Sequence, residues 1–136
     1  MGRYEFIEHT ADVGFTACGH NLAEAFSNAA YAMFSIITDL SKVGDKELRV
    51  IEIEESDIEV LLVEWLNSLI YYFDTEGIIF TTFDITHLDE NTLKAKCLGE
   101  KYDPARHQLN LGVKSATYHM LKVDKEKNEV RVILDV

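Results

Sequence analysis

The sequence predicts an α+β domain in which two helices pack on a largely antiparallel β-sheet system. Two segments repeat apolar residues every three or four positions, which is typical of amphipathic helices. After the second of these segments, most of the chain reads as strands separated by turns and one loop. The 136 residues are 47% hydrophobic and contain no repeat, linker or low-complexity tract, so we expect a single domain spanning residues 1–136.

The chain is expected to open with two short strands, at residues 3–8 and 12–17, and Gly14 in the second indicates a bulge or a close backbone approach. A first helix follows Gly19-His20-Asn21, and Asn21 with Glu24 resembles a capping box. Its apolar stripe is formed by Leu22, Phe26, Ala29, Ala30, Met33, Phe34 and Ile37.

Residues 47–54 are expected to form a strand with one solvent-exposed face, because Leu48, Val50, Ile51 and Ile53 lie among charged residues. Ser56 and Glu59 form a capping box for a second helix, which should run to about Thr75 and end before Gly77. The buried stripe of that helix is predicted to be Leu62, Trp65, Leu66, Leu69 and Phe73.

The rest of the chain predicts four strands and one loop. The strands are placed at residues 78–88, 92–101, 113–123 and 130–136, with turns at 89–91 and near 125–128. The loop at 102–112 contains the single proline, Pro104.

Composition excludes several classes of function. The formal net charge of −11 repels phosphate backbones, so direct RNA or DNA binding through a broad basic face is not expected. Cys18 and Cys97 lack metal-like spacing and are expected to be unbridged thiols in a reducing cytosol. No signal peptide pattern opens the chain, and the apolar stretch around residues 60–73 is too short to span a bilayer. We therefore expect a cytoplasmic protein.

Asp12 is the most informative residue, because aspartate is disfavoured in strands and a buried carboxylate needs a cation or hydrogen-bond donors. The predicted last strand ends at Asp135 and Val136, which places a terminal carboxylate beside an acid. If that strand pairs near Asp12, the oxygen groups suit Ca²⁺, Mg²⁺ or Mn²⁺. The alternative is that Asp12 caps a turn or pairs with a lysine, while Asp135 is simply solvated.

Five further polar groups have open interpretations. His9 is either a ligand or a hydrogen-bonded structural residue. Arg106 either grips a carboxylate or phosphate, with His107 beside it, or the segment is a surface turn held by Asp103 and Arg106. Lys114 has a functional interpretation, in which it neutralises an acidic cluster or contacts a partner. The alternative is an edge-strand lysine that only prevents pairing with another strand. His119 is expected to complete a sheet face.

No catalytic triad, P-loop or zinc spacing occurs in the sequence, so nucleophilic catalysis is poorly supported.

Five motifs follow one another along the chain: His9-Thr10-Ala11-Asp12-Val13-Gly14, the helix around Leu62–Asn67 with Phe73–Gly77, the stretch from Gly99-Glu100 to Arg106-His107, the strand from Val113-Lys114 to His119, and the ending Arg131–Val136. Together these motifs closely resemble the archease family. One departure is Leu111-Gly112, where an acidic residue is expected before the Val-Lys pair.

The resemblance implies an accessory protein, not itself an enzyme, that activates the GTP-dependent RNA-splicing ligase joining tRNA halves. Such proteins promote guanylylation and multiple turnover of the ligase. Carried over by position, the family's divalent metal site falls on Asp12, Asp135 and Val136, with calcium the usual ion, and Lys114 resembles a residue needed for activation.

Two other functions remain open. One is a chaperone-like modulator of RNA-modifying enzymes such as a tRNA methyltransferase, which would need an exposed apolar face and no metal. The other is a metal-dependent hydrolase, which is weaker because the candidate acids come without a clear general base.

Overall fold

Two antiparallel sheets and two helices make up the computed structural model, which describes residues 3–8 and 12–136. The first sheet has the strand order β1-β2-β7-β6 and the second has the order β3-β5-β4. The strands are β1 Tyr4–Glu8, β2 Val13–Cys18, β3 Glu47–Glu54, β4 Ile78–Leu88, β5 Thr92–Lys101, β6 Ser115–Asp124 and β7 Glu129–Asp135. The helices are α1 Leu22–Ile37 and α2 Ile58–Glu76, with a short 3₁₀ turn at Leu40–Lys42. The predicted α+β class is confirmed.

Helix α1 begins at the predicted place, where Asn21 Oδ1 accepts a hydrogen bond from the backbone N–H of Glu24 over 2.8 Å. The Glu24 carboxylate accepts from the N–H of His20 rather than of Asn21, so the arrangement differs from a full capping box. The predicted apolar stripe is buried, apart from Leu22, which is half-buried against the core.

Helix α2 is capped differently from the prediction. Asp57, not Ser56, is the N-cap, and its carboxylate accepts hydrogen bonds from the N–H groups of Glu59 (3.0 Å) and Val60 (2.9 Å). A carboxylate reaches both free N–H groups of the first turn and interacts favourably with the helix dipole. At the other end, Gly77 takes the left-handed conformation (φ 69°) that glycine adopts without strain, as predicted.

The core lies between the sheets and the helices. Trp65 is fully buried and its indole N–H donates to the carbonyl of Phe26 over 3.0 Å, which ties α2 to α1. Strand β2 and strand β7 place alternate residues in this core, including Phe15, Val132 and Leu134. Phe73 of the predicted stripe is half-buried at its margin.

Strand β3 confirms the predicted bounds but reverses part of the expected pattern. Leu48 and Val50 lie on the exposed face, and only Ile51 is fully buried. Strands β4 and β5 have the predicted bounds, whereas β6 begins at Ser115 rather than at Val113 and β7 begins one residue early.

Two further expectations concern the whole chain. Neither Cys18 nor Cys97 is in a disulfide, and burial raises the pKa of the Cys97 thiol to about 12, with the Asp84 charge adding to the shift. Neither helix in the described ranges is long and apolar enough to cross a membrane.

Candidate functional site

Asp12 and Asp135 lie at the ends of two paired strands. Strands β2 and β7 are antiparallel neighbours, with Val13 opposite Leu134. Continued by one residue, this register puts Asp12 opposite Asp135, because both residues are the next ones outward. Antiparallel partners point their side chains to the same face of a sheet. Asp12 is half-buried and Asp135 is exposed.

Lys114 and Val136 flank the same sheet end. The backbone N–H of Lys114 donates to the main-chain oxygen of Asp135 over 2.8 Å, and the next residue, Ser115, is paired with Asp135. The Lys114 side chain is exposed, while Val136 is half-buried and packs against the core. All four predicted site residues therefore belong to adjoining chain segments at one end of the first sheet.

The strands beneath this end are held close together. Gly14 is buried on β2, and a side chain there would collide with Cδ1 of Ile133 on the neighbouring β7. The sequence predicted a bulge or a close backbone approach at Gly14, and the structure shows a regular register there with the Ile133 side chain filling the space of the missing Cβ.

The oxygen donors here suit a hard divalent cation, because carboxylates and main-chain oxygens are the ligands that Ca²⁺ and Mg²⁺ prefer. Two carboxylates and a main-chain group fall short of the six to eight ligands that Ca²⁺ takes, so water or a partner would complete the shell. Within residues 3–8 and 12–136, no group of three or more His, Cys, Asp or Glu side chains could hold a metal by itself. His9 lies outside the described residues.

A second polar cluster, around Glu100, resolves the alternatives for Arg106 and His107. Glu100 is nearly buried at the end of β5 and pairs with the Arg106 guanidinium through both carboxylate oxygens. His107 Nε2 lies 3.1 Å from Glu100 Oε2, and the N–H of Asp103 donates to His107 Nδ1 over 2.9 Å. Because Nδ1 accepts that bond, the ring proton lies on Nε2 and is donated to Glu100. Arg106 therefore grips a carboxylate, that of Glu100, with His107 beside it. Asp103 also holds the segment in a turn, because it accepts hydrogen bonds from the N–H groups of Ala105 and Arg106.

Glu100 was not predicted as an important residue, and its environment explains its role. The Gly44 N–H, 2.8 Å from Oε2, and the Arg106 guanidinium lower the pKa of Glu100 to about 2. One carboxylate thus fastens the segment after α1 and the loop after β5 to the second sheet. The sequence signals were Arg106-His107, six and seven residues later in the chain, and the place of Gly99-Glu100 in one of the family motifs.

His119 differs from its expected role, because strand β6 is irregular there. The pairing of β6 with β7 jumps from Thr117–Ile133 to Lys122–Arg131, which leaves four residues of β6 opposite one of β7. Met120 takes a positive φ of 55°, and Arg131 Nε donates to its carbonyl over 2.8 Å. His119 therefore lies on an exposed bulge rather than in a regular sheet face.

The sequence profile of the archease protein family matches residues 4–136, nearly the entire chain. The chain belongs to the archease family. Curated relatives agree: an archease of Sulfurisphaera tokodaii is 46% identical over 129 residues, covering 94% of this chain and 93% of its own. An archease of Sulfolobus acidocaldarius is 41% identical and covers 100% of both chains.

Solved structures of the archease family share the fold. The solution structure of protein 1598 of Methanobacterium thermoautotrophicum is 38% identical, covers 100% of both chains and superposes with a TM-score of 0.82. A crystal structure from Thermotoga maritima, described as an archease and possible chaperone, covers 96% of this chain and 94% of its own. Its TM-score is 0.64 and its sequence identity is 19%, so this similarity supports a shared fold only. The resemblance predicted from the sequence motifs is confirmed.

Proposed function

We propose that this archease-family protein activates the GTP-dependent RNA-splicing ligase that joins tRNA halves, promoting ligase guanylylation and multiple turnover through a divalent metal ion. Membership of the family supports the ligase as partner. The observation that carries the metal site is the register of β2 with β7, which leads Asp12 and Asp135 to the same position on adjacent strands.

In this proposal, Asp12, Asp135 and a main-chain oxygen of Val136 hold the ion, with Ca²⁺ first and Mg²⁺ or Mn²⁺ as alternatives. When bound, the ion would supply positive charge for orienting the phosphates of GTP at the ligase centre. The two carboxylates would balance the charge of the ion, and Asp135 is exposed at the strand end, where a partner can reach it. Lys114, exposed beside them, would contact a phosphate oxygen directly.

The protein itself is not an enzyme in this proposal, because the reacting groups belong to the ligase. Its acidic surface, with a net charge of −11, suits a basic RNA-binding partner, since complementary charge speeds encounter and fixes orientation. The incomplete set of protein ligands is consistent with a shell completed by the partner or by water. A cytoplasmic location follows from the same proposal.

The test is a multiple-turnover RNA ligation assay with the ligase, GTP and metal, with and without this protein. Asp12→Asn and Asp135→Asn keep size and hydrogen bonding but remove a charge each, so both should lose stimulation. Glu5→Gln is the matched control and should stimulate fully, because Glu5 is an exposed carboxylate on β1 that is paired with Thr16, four residues along the chain from Asp12. Undiminished stimulation by both aspartate variants would rule out the metal site, and no stimulation by the native protein would rule out activation.

A chaperone-like role toward RNA-modifying enzymes such as a tRNA methyltransferase is the second candidate. It is favoured by exposed apolar side chains on α2 and β6, including Tyr71, Tyr118 and Met120. Light scattering by a heated tRNA methyltransferase, with and without this protein, measures how far its aggregation is suppressed. Under this second function the native protein suppresses aggregation equally with and without EDTA, whereas chelation abolishes ligase activation under the first.

A further inference from the structure

A groove of about 450 Å³ runs along strand β3 where it passes helix α2. We call it the β3 groove. One wall is β3 itself and the floor is one side of α2. Its lining residues are Val50, Ile51, Glu52, Ile53, Glu64, Asn67, Ser68, Tyr71 and Tyr72.

The wall of the β3 groove is an open strand edge. Within the described residues, β3 is the last strand of its sheet and pairs only with β5. Four consecutive residues, 50–53, line the groove although their side chains alternate between the two faces. A strand contributes consecutive residues to one groove when it presents its edge, so N–H and C=O groups of β3 face this space.

The edge of the other sheet contacts α2 directly. Strand β6 is the end strand of the first sheet, and it packs beside α2. There Asn67 of α2 accepts a hydrogen bond from the N–H of Ala116 over 2.8 Å. Helix α2 therefore satisfies a backbone group of β6, whereas the β3 groove lies between α2 and β3.

Apolar side chains line the opening of the β3 groove. Tyr71 is 63% exposed and Val50 is 53% exposed, well beyond what either residue would show in the core. Tyr118, 57% exposed on the β6 bulge, lies near Glu64. An extended segment on the β3 edge would cover Val50 and Tyr71, because alternate side chains of a strand fall on each face.

The charges of the β3 groove select the occupant. Glu52 and Glu64 line the β3 groove. Burial, followed by the charges of Glu64, Glu55 and Asp57, raises the pKa of the nearby Tyr118, so this part of the surface is acidic. Arg49 is engaged elsewhere, 2.7 Å from Glu76 and 3.6 Å from Glu47. Lys94 stands across from Glu52 in the ladder without forming an ion pair within the described residues. A second β3 edge would bring glutamates against glutamates, which disfavours a second copy.

We propose that the β3 groove binds an extended segment of a partner protein that carries lysine or arginine at alternate positions and adds as a strand to β3. Main-chain hydrogen bonds to the open edge supply the register. The basic side chains on one face of the added strand pair with Glu52, and the alternate side chains on its other face pack towards Tyr71. This docking uses neither Asp12 nor Asp135, so its failure leaves the metal site unaffected.

The test uses an eight-residue peptide of alternating lysine and valine, matched to the eight residues of β3, titrated into ¹⁵N-labelled protein. NMR shifts should concentrate at β3 and α2, and amide exchange at the outer edge of β3 should slow by about tenfold at saturation. The same peptide with glutamate for lysine, and one with a central proline, should not bind.

Variants separate the groove from the general negative charge of the protein. Glu52→Lys should weaken binding of the lysine peptide by about tenfold, and Tyr71→Ala should weaken it with the charge unchanged. Glu5→Lys makes the same charge change on another exposed strand-edge glutamate and should leave binding intact. Equal loss in Glu52→Lys and Glu5→Lys, or unchanged exchange of β3 amides, would overturn the proposal.

Discussion

The backbone N–H of Lys114 donates a hydrogen bond to the main-chain oxygen of Asp135 over 2.8 Å. This bond joins the residue expected to act in activation to a residue expected to hold the metal. It uses backbone atoms alone, so either side chain can be replaced without removing it. The charge of each side chain can therefore be tested separately from the geometry of the strand end.

Lys114→Ala is expected to lower stimulation of the ligase by about tenfold, the loss of one charge-assisted hydrogen bond to a phosphate. The melting temperature should not change, because the side chain is exposed. Multiple-turnover ligation measures the effect, and Lys101→Ala, another exposed strand-end lysine, is the control. Normal stimulation by Lys114→Ala would contradict the role.

Calcium is expected to stabilise the native protein, because an ion that binds only the folded state raises the free energy of unfolding. At about 100 times its Kd the gain is about 2.7 kcal/mol. Urea denaturation with Ca²⁺ and with EDTA measures it, and Asp135→Asn should abolish the difference. If Ca²⁺, Mg²⁺ and Mn²⁺ all leave the unfolding curve unchanged, the protein alone binds none of them at this site.

The Glu100 cluster predicts a loss of stability in acid. The pKa of Glu100 is lowered to about 2 in the folded protein by the Gly44 N–H and Arg106, from an unfolded value near 4.5. A lowered folded pKa stabilises the protein above the unfolded value, and this contribution is lost as the pH falls from about 4.5 towards 2. Glu100→Gln should lower the melting temperature at pH 7 by several degrees and flatten that part of the pH profile. An unchanged profile would contradict the coupling.

Gly99→Ala is expected to destabilise the protein by about 3 kcal/mol. A Cβ at Gly99 would collide with the backbone of Ile79 and Phe80 on β4, and backbone cannot move aside as a side-chain tip can. Chemical denaturation measures the loss. Gly112→Ala, where nothing lies within 4 Å of the new Cβ, should be close to neutral. Equal stability of the two variants would contradict the close approach of β4 and β5.

The cap of α2 predicts different costs for two neighbouring substitutions. Asp57→Ala removes the acceptor for two helix N–H groups and should cost about 1 kcal/mol. Ser56→Ala should be nearly neutral, because among the described residues the contact of Ser56 is made by its backbone carbonyl, which accepts a hydrogen bond from the Asn91 side chain. Paired urea denaturation curves compare the two. A larger cost for Ser56→Ala would restore the capping box predicted from the sequence.

Glu100 and Asp57 show where prediction from the sequence stops. The sequence correctly predicted a turn around Pro104, but Glu100 lies on a strand with lysines nearby and carries no local sign of burial. Its partners, Gly44 and Arg106, come from separate loops, and only the fold brings them together. Asp57 and Ser56 are both good N-caps, so the choice depended on the direction in which the chain enters α2.

The sequence by itself determined the helices, most strand bounds, the Gly77 cap and, through its motifs, the archease family. These features depend on local periodicity, residue conformation and motif order, which the chain carries without its fold. Only the tertiary structure decided that β2 lies beside β7, that β6 bulges at Met120 and that β3 keeps an open edge. Strand neighbours are chosen by packing over long sequence separations, and no local pattern encodes them. Asp12 and Asp135 become candidates for one site only through that choice.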